Sequence, residues 1–117
     1  MEMTKYHSHK AQCRQGHLHD SKAEARRCNE LYLLKAAGEI SGIQVQKRFE
    51  LLPAIKYDGQ PNERRIDYIA DFVYTENGKV IVEDVKGKKT KDYIIKRKLF
   101  KAKYCKGNDR IKFRETK

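Results

Sequence analysis

The sequence predicts an α/β domain in the order helix, strand, strand, strand, helix, strand, and three observations predict it. A capped, helix-periodic segment begins at Ser21, stretches rich in β-branched and aromatic residues follow, and a second capped segment begins at Thr90 ahead of a short closing alternation. At 117 residues the chain has room for one modest core and not for two. Residues 1–20 are polar, rich in His and Lys and without clean periodicity, so they read as an N-terminal arm; residues 21–117 carry the domain.

In the first helix, "SKAEARRCNELYLLKAAGEI", Ser21 is a good N-cap with Glu24 at the capping-box spacing, and Gly38 supplies the C-terminal stop. The helix is expected over about 22–37. "GIQVQKRFELLPA" alternates Ile43, Val45, Phe49 and Leu51 against polar neighbours, with only Lys47 out of step, and predicts a strand with one buried face. Both prolines and a glycine make "PAIKYDGQPNE" a surface loop. "RRIDYIADFVYT" and "KVIVEDVK" flank Asn77-Gly78, the strongest short hairpin signal, so strands two and three are neighbours. Thr90 caps a second helix over about 91–104, whose expected buried face is Ile95, Leu99 and Ala102, and "DRIKFRE" reads as the last strand.

Lys and Arg number 27 against 16 Asp and Glu, a net charge of +11, which makes a polyanion the natural partner. No apolar run approaches the roughly 20 residues that span a bilayer, so no membrane role is expected. The N-terminal residues lack the apolar centre of a secretory signal, which places the expected location in the cytoplasm, and three cysteines, an odd number, suit a reducing compartment.

Counting outward from the Asn77-Gly78 turn, Glu76 faces Lys79, Tyr74 faces Ile81 and Asp71 faces Asp84. Opposed side chains share a face with Cβ atoms about 4.5–5.5 Å apart, and two like charges there repel. Alternation adds Lys86 to the same face. Such a carboxylate pair suits a hard divalent cation, Mg²⁺ or Mn²⁺, which takes oxygen ligands and keeps waters or substrate phosphate in its other positions. The alternatives are an exposed pair neutralised by nearby lysines, or a one-residue bulge that breaks the register.

A strand acid followed by a hairpin to Asp84-Val85-Lys86 resembles the PD-(D/E)XK nuclease superfamily, and the match runs from about Asp20 onward. "HDSKAEARRCNELYLL…GEI", "IADFVY", "VEDVKGKKTKDYIIKRK" and "IKFRE" resemble, more narrowly, a family of small phage and prophage proteins placed in that superfamily. The resemblance implies a single-domain restriction-endonuclease-like fold with a central mixed sheet. It implies Mg²⁺ or Mn²⁺ held by Glu24, Asp71, Asp84 and the Val85 backbone carbonyl, with Lys86 positioning or activating the attacking water. It also implies a homodimeric, structure-selective endodeoxyribonuclease like the Holliday-junction resolvases, serving phage recombination or replication in a bacterial host. The rival expectation is a non-catalytic DNA-binding module or a subunit of a larger nucleoprotein complex; an RNA nuclease is a lesser one.

Glu24 has two readings, as half of a capping box or as a site residue. Its place at the head of the Glu24, Cys28, Leu31 stripe favours the second. Glu83 is turned to the opposite face and reads as structural or rim-exposed. Between Lys86 and Lys106 stand ten Lys or Arg and one acid, Asp92, and Lys88, Lys89, Lys91, Lys96 and Lys98 are the candidate DNA-backbone contacts. Tyr93, Phe100 and Tyr104 read as packing rather than base stacking. Cys13, His17, His19 and Cys28 are possible ligands of a structural Zn²⁺ that would staple the arm to the first helix; the other reading is loose polar histidines and a buried Cys28.

Overall fold

The computed structural model describes residues 10–117, so the part of the expected arm before Lys10 lies outside the described residues. Strands β1 (Ala11–Gln12) and β2 (Leu18–His19) form a small hairpin ahead of helix α1 (Lys22–Ala36). Then come β3 (Ser41–Leu52), β4 (Ile66–Glu76), β5 (Lys79–Val85), helix α2 (Lys91–Phe100) with a π-helical continuation over Lys101–Cys105, and β6 (Ile111–Thr116). The four long strands make one sheet in the order β3-β4-β5-β6, with β3, β4 and β5 antiparallel and β6 parallel to β5. The domain is therefore mixed α/β with a mixed sheet.

Both helices start as their caps dictate: Ser21 Oγ accepts from the Glu24 N–H and Thr90 Oγ1 from the Tyr93 N–H, each at 3.1 Å. α1 ends in a Schellman arrangement, with the Glu39 N–H on the Leu34 carbonyl and Gly38 at φ +79°. At the hairpin, Asn77 and Gly78 both take positive φ, +52° and +77°, the type I′ requirement. The expected register follows, from Glu76↔Lys79 to Phe72↔Glu83.

The two helices lie on opposite faces of the sheet. Ala25, Cys28 and Leu31 of α1 join Phe72, Tyr74, Ile81 and Val85 in one core. Tyr93 and Phe100 of α2 join Leu51, Tyr68, Ala70, Val73 and Val82 in the other. The face of α2 differs from expectation: Ile95 is 60% exposed and Ala102 is exposed, while Tyr93 and Phe100 are buried. The aromatics win because they bury more apolar area and interlock, with Phe100 5.0 Å from Phe49, 5.2 Å from Tyr68 and 5.1 Å from Tyr104 between ring centroids. Packing is indeed the role of that aromatic stripe.

A second correction concerns β3, which does not bury a single face. Ile43 and Val45 pack on the α1 side, whereas Phe49 and Leu51 pack on the α2 side. The switch occurs at Gln46, a non-glycine residue at φ +57° that sits between the Val45↔Phe72 and Lys47↔Ala70 pairs, across from Asp71. A left-handed residue turns the pleat over, so residues of equal parity on either side of it face opposite ways. Lys47, out of step in the alternation, stands at this flip.

Glu83 is structural and fully buried rather than at the rim. Arg27 of α1 clamps it through Nε at 2.6 Å and Nη2 at 3.0 Å, the Tyr74 hydroxyl donates to it, and Thr116 Oγ1 donates from β6 at 3.0 Å. One carboxylate thus ties α1, β4, β5 and β6 together. Removing a single partner of a buried pair leaves an uncompensated charge, so Arg27→Met is expected to cost about 3–5 kcal/mol in urea unfolding, and Arg27→Met with Glu83→Leu to recover a large part of it.

Candidate functional site

The site forms where β4 and β5 part company. Ladder pairing ends at Phe72↔Glu83, and at the next step Asp71 Oδ2 itself accepts the Val85 N–H at 2.8 Å. The side chain takes the place of a lost backbone partner and is drawn across to β5 beside Asp84. Asp71 and Asp84 are 6% and 1% exposed. The opposed carboxylates expected from the turn are therefore brought together, and the exposed-pair alternative fails.

Other elements complete the surroundings. Tyr68 donates its hydroxyl to Asp84 Oδ2. Lys86 Nζ lies 3.0 Å from Asp84 Oδ1 and 4.6 Å from the centroid of the Tyr93 ring, and its side chain keeps 29% exposure. Asp84 Oδ1 is buried and makes no hydrogen bond, only this ionic contact. Glu24, in the first turn of α1 and 4% exposed, adds its field to Asp71. Its side chain does not close a capping box. Oε2 instead accepts from His19 Nδ1 at 3.0 Å and from Gln46 Nε2 at 3.0 Å.

Burial, the adjacent Asp84 and Glu24 push the Asp71 carboxyl up to about 9 against the opposing pull of the Val85 N–H. The acid pair thus holds a proton at neutral pH. Burial works to lower the Lys86 ammonium, yet Asp84, Asp71 and Glu24 outweigh it and the net shift is upward. Lys86 stays charged. Burial and the Asp84 charge likewise raise the Tyr68 phenol, which remains a donor.

The second constellation lies on the other side of Glu24. Cys13 Sγ and Cys28 Sγ are 3.2 Å apart, and His17 Nδ1 stands 3.5 Å from each. With His19, whose Nε2 is buried and unpartnered, the ligand atoms all fall within 4.8 Å of one another. Tetrahedral Zn²⁺ with bonds of about 2.3 Å to sulfur and about 2.0–2.1 Å to nitrogen has ligand–ligand edges of about 3.4–3.8 Å, close to these separations. Burial works to raise the Cys13 thiol, but the Cys28 hydrogen bond, the neighbouring His19 and the local backbone bring it down to about 6, while burial and Cys13 push Cys28 up to about 12. The four residues form a cluster that could hold a metal ion, and Cys28 is at the same time a fully buried residue of the α1 core. Among the described residues the cluster is the one group of three or more potential ligands drawn so close.

The basic run follows Lys86 directly. Lys88, Lys89, Lys91 and Lys98 are exposed, and Lys96 is half-buried and lies 3.5 Å from Asp92. Arg97 is held by Glu115 at 2.9 Å.

A family model described as "Protein of unknown function" matches residues 3–117. The chain belongs to the DUF1064 family. No curated protein matches the DUF1064 chain, and no solved structure does. No helix among the described residues is long and apolar enough to cross a membrane.

Sequence reasoning found the acids, Lys86 and the Cys/His set, but missed Gln46 and Tyr68 as site residues and the contact of His19 with Glu24. A polar residue beside the misfit Lys47 was the available signal for Gln46; nothing local distinguishes Tyr68. Because burial and the neighbouring acids hold the Asp71 carboxyl above the pKa near 3.9 of an unfolded aspartate, stability of the metal-free DUF1064 domain is expected to fall as pH rises from about 4 towards about 9. Asp71→Asn removes that dependence: urea unfolding in a chelator should show the variant more stable by about 1–3 kcal/mol at pH 8, with the advantage vanishing towards about pH 4.

Proposed function

We propose that this protein is a metal-dependent endodeoxyribonuclease that hydrolyses phosphodiester bonds, acting by preference on branched or junction DNA. The observation that carries the reading is the convergence of Asp71, Asp84 and Lys86 where two central strands diverge, beside the most basic stretch of the chain. A pure binder gains nothing from buried acids facing a polyanion. The resemblance to the PD-(D/E)XK superfamily points the same way.

The donor set fits a hard cation: all-oxygen and buried, with Asp84 Oδ1 contacted by the Lys86 ammonium alone. Asp71, Asp84, the Val85 carbonyl and Glu24 would hold Mg²⁺ or Mn²⁺, which when bound neutralises the scissile phosphate and lowers the pKa of a water. Tyr68 fixes Asp84 through Oδ2, and Oδ1 faces Lys86. Lys86, kept protonated by its acidic neighbours, donates towards phosphate oxygens and orients the attacking water rather than removing its proton. Lys88, Lys89, Lys91, Lys96 and Lys98 supply backbone contacts that fix the DNA without reading sequence. The Cys13, His17, His19, Cys28 cluster takes a structural Zn²⁺, for which the orphaned His19 Nε2 is the missing bond.

A homodimer would bring two such sites to two strands. Leu52, Ile55, Tyr57 and Ile66, all at least 39% exposed near one end of the β3–β4 pair, offer apolar area for a second copy. Cytoplasmic action on phage or prophage DNA completes the reading.

Cleavage of labelled four-way-junction and linear duplex DNA with Mg²⁺ or Mn²⁺ tests it. Wild type should cut, while Asp84→Ala and Lys86→Ala should each lose about 100-fold or more in rate with DNA binding retained. Binding itself should weaken log-linearly with salt. Binding without cleavage of any substrate would leave the non-catalytic DNA-binding module in its place.

A further inference from the structure

We infer that Glu24 is a carboxylate shared by two metal centres, anchored by a Zn²⁺-bound His19 on one side and facing the hard-cation site of Asp71 and Asp84 on the other, so that zinc occupancy positions it. The inference rests on the nuclease reading only for the existence of that hard-cation site. His19 is the link, and it is a positioning residue.

The two ends of the His19 ring are chemically divided. Nδ1 lies 3.0 Å from Glu24 Oε2, and Nε2 is buried without a partner among Cys13, His17 and Cys28. A soft or borderline cation on Nε2 requires a lone pair there, so the ring proton must sit on Nδ1, and it then donates to Glu24. Carboxylate–histidine–zinc triads work in this way, fixing the tautomer and ring orientation. The metal thereby also fixes the carboxylate.

Glu24 has few other restraints. Its hydrogen bonds from His19 and Gln46 both end on Oε2, and among the described residues Oε1 accepts none. The carboxylate is 4% exposed and close enough to raise the Asp71 carboxyl. The anchors differ in kind: Gln46 comes from the left-handed kink of β3, and His19 from a two-residue strand, β2, whose position depends on what holds the arm to α1. Besides the His19–Glu24 contact, the hairpin is attached to the helix by the Cys13 and His17 contacts with Cys28 and by the Arg14 N–H, which donates to Asn29 Oδ1 at 2.8 Å. Without zinc, an unpaired buried nitrogen favours a change of tautomer or a departure of the ring. Either one removes an anchor from Glu24.

Coupling of this kind is reciprocal. Zinc should tighten the hard-cation site, and loss of the Glu24 charge should weaken zinc. The experiment uses the full chain with the metals alone: Mn²⁺ binding followed by electron paramagnetic resonance in the zinc-loaded protein and in protein stripped with a thiolate-competing chelator, with circular dichroism to show that the fold survives. On the zinc side, Co²⁺ replaces Zn²⁺ and its thiolate charge-transfer band gives the affinity in wild type and in Glu24→Gln. The expected results are an Mn²⁺ affinity about 10-fold lower without zinc and restored by adding it, and a Co²⁺ affinity about 10-fold lower in Glu24→Gln.

Equal Mn²⁺ affinity with and without zinc in a folded chain would overturn the sharing and leave the nuclease reading untouched. If zinc removal unfolds the chain, the Co²⁺ titration decides: an unchanged affinity in Glu24→Gln overturns the proposal. Mn²⁺ binding linked to zinc but without DNA cleavage would support the shared carboxylate and sink the nuclease. No Mn²⁺ binding by the zinc-loaded wild type would overturn both.

Discussion

The left-handed turn of Gln46 opposite Asp71 is the constraint on which the rest of the site depends. Holding a non-glycine residue there costs of order 1–3 kcal/mol, and such strain persists only where the surroundings dictate it. Here it turns over the pleat of β3, so the strand feeds the α1 core with one half and the α2 core with the other. The Gln46 side chain reaches Glu24, and ladder pairing between β4 and β5 stops before Asp71, across from Gln46. A regular β3 would leave Asp71 one more residue in an unbroken sheet.

The parting of the strands also explains how two acids survive where a sheet would exclude them. Asp71 is not stranded, because the Val85 N–H that lost its backbone partner takes its carboxylate instead. Asp84 is held by Tyr68 and Lys86. Glu83, one residue away, shows the contrast, since Arg27, Tyr74 and Thr116 satisfy it completely and leave it nothing to bind. Adjacent acids of one strand thus divide the labour: one fastens the layers, and the other faces Asp71 and Lys86.

Much of this was written locally in the chain. Asn77-Gly78 fixed a register that put Asp71 and Asp84 together, and Ser21, Thr90 and Gly38 fixed the helix ends, because turns and caps are decided by a few neighbouring residues. What escaped was non-local. The inversion of β3 depends on two cores competing for one strand, and Ile43, Val45, Phe49 and Leu51 look alike whichever face they take. The α2 face went to Tyr93 and Phe100 because Phe49 and Tyr68, remote in sequence, supply the other half of an aromatic cluster. The four Cys and His residues match no familiar spacing since a hairpin and a helix, not a single loop, bring them together.

The parallel seating of β6 against β5 makes the site depend on both ends of the described chain. Lys86 leaves β5 with its N–H bonded to the Thr116 carbonyl, and Thr116 also reaches Glu83, which Arg27 holds from the opposite end of the chain. The end of β5 that carries Lys86 is therefore seated by the last strand. A chain lacking β6 would lose at one stroke the Thr116 contacts of Lys86 and Glu83 and the Glu115 contacts of Tyr93 and Arg97.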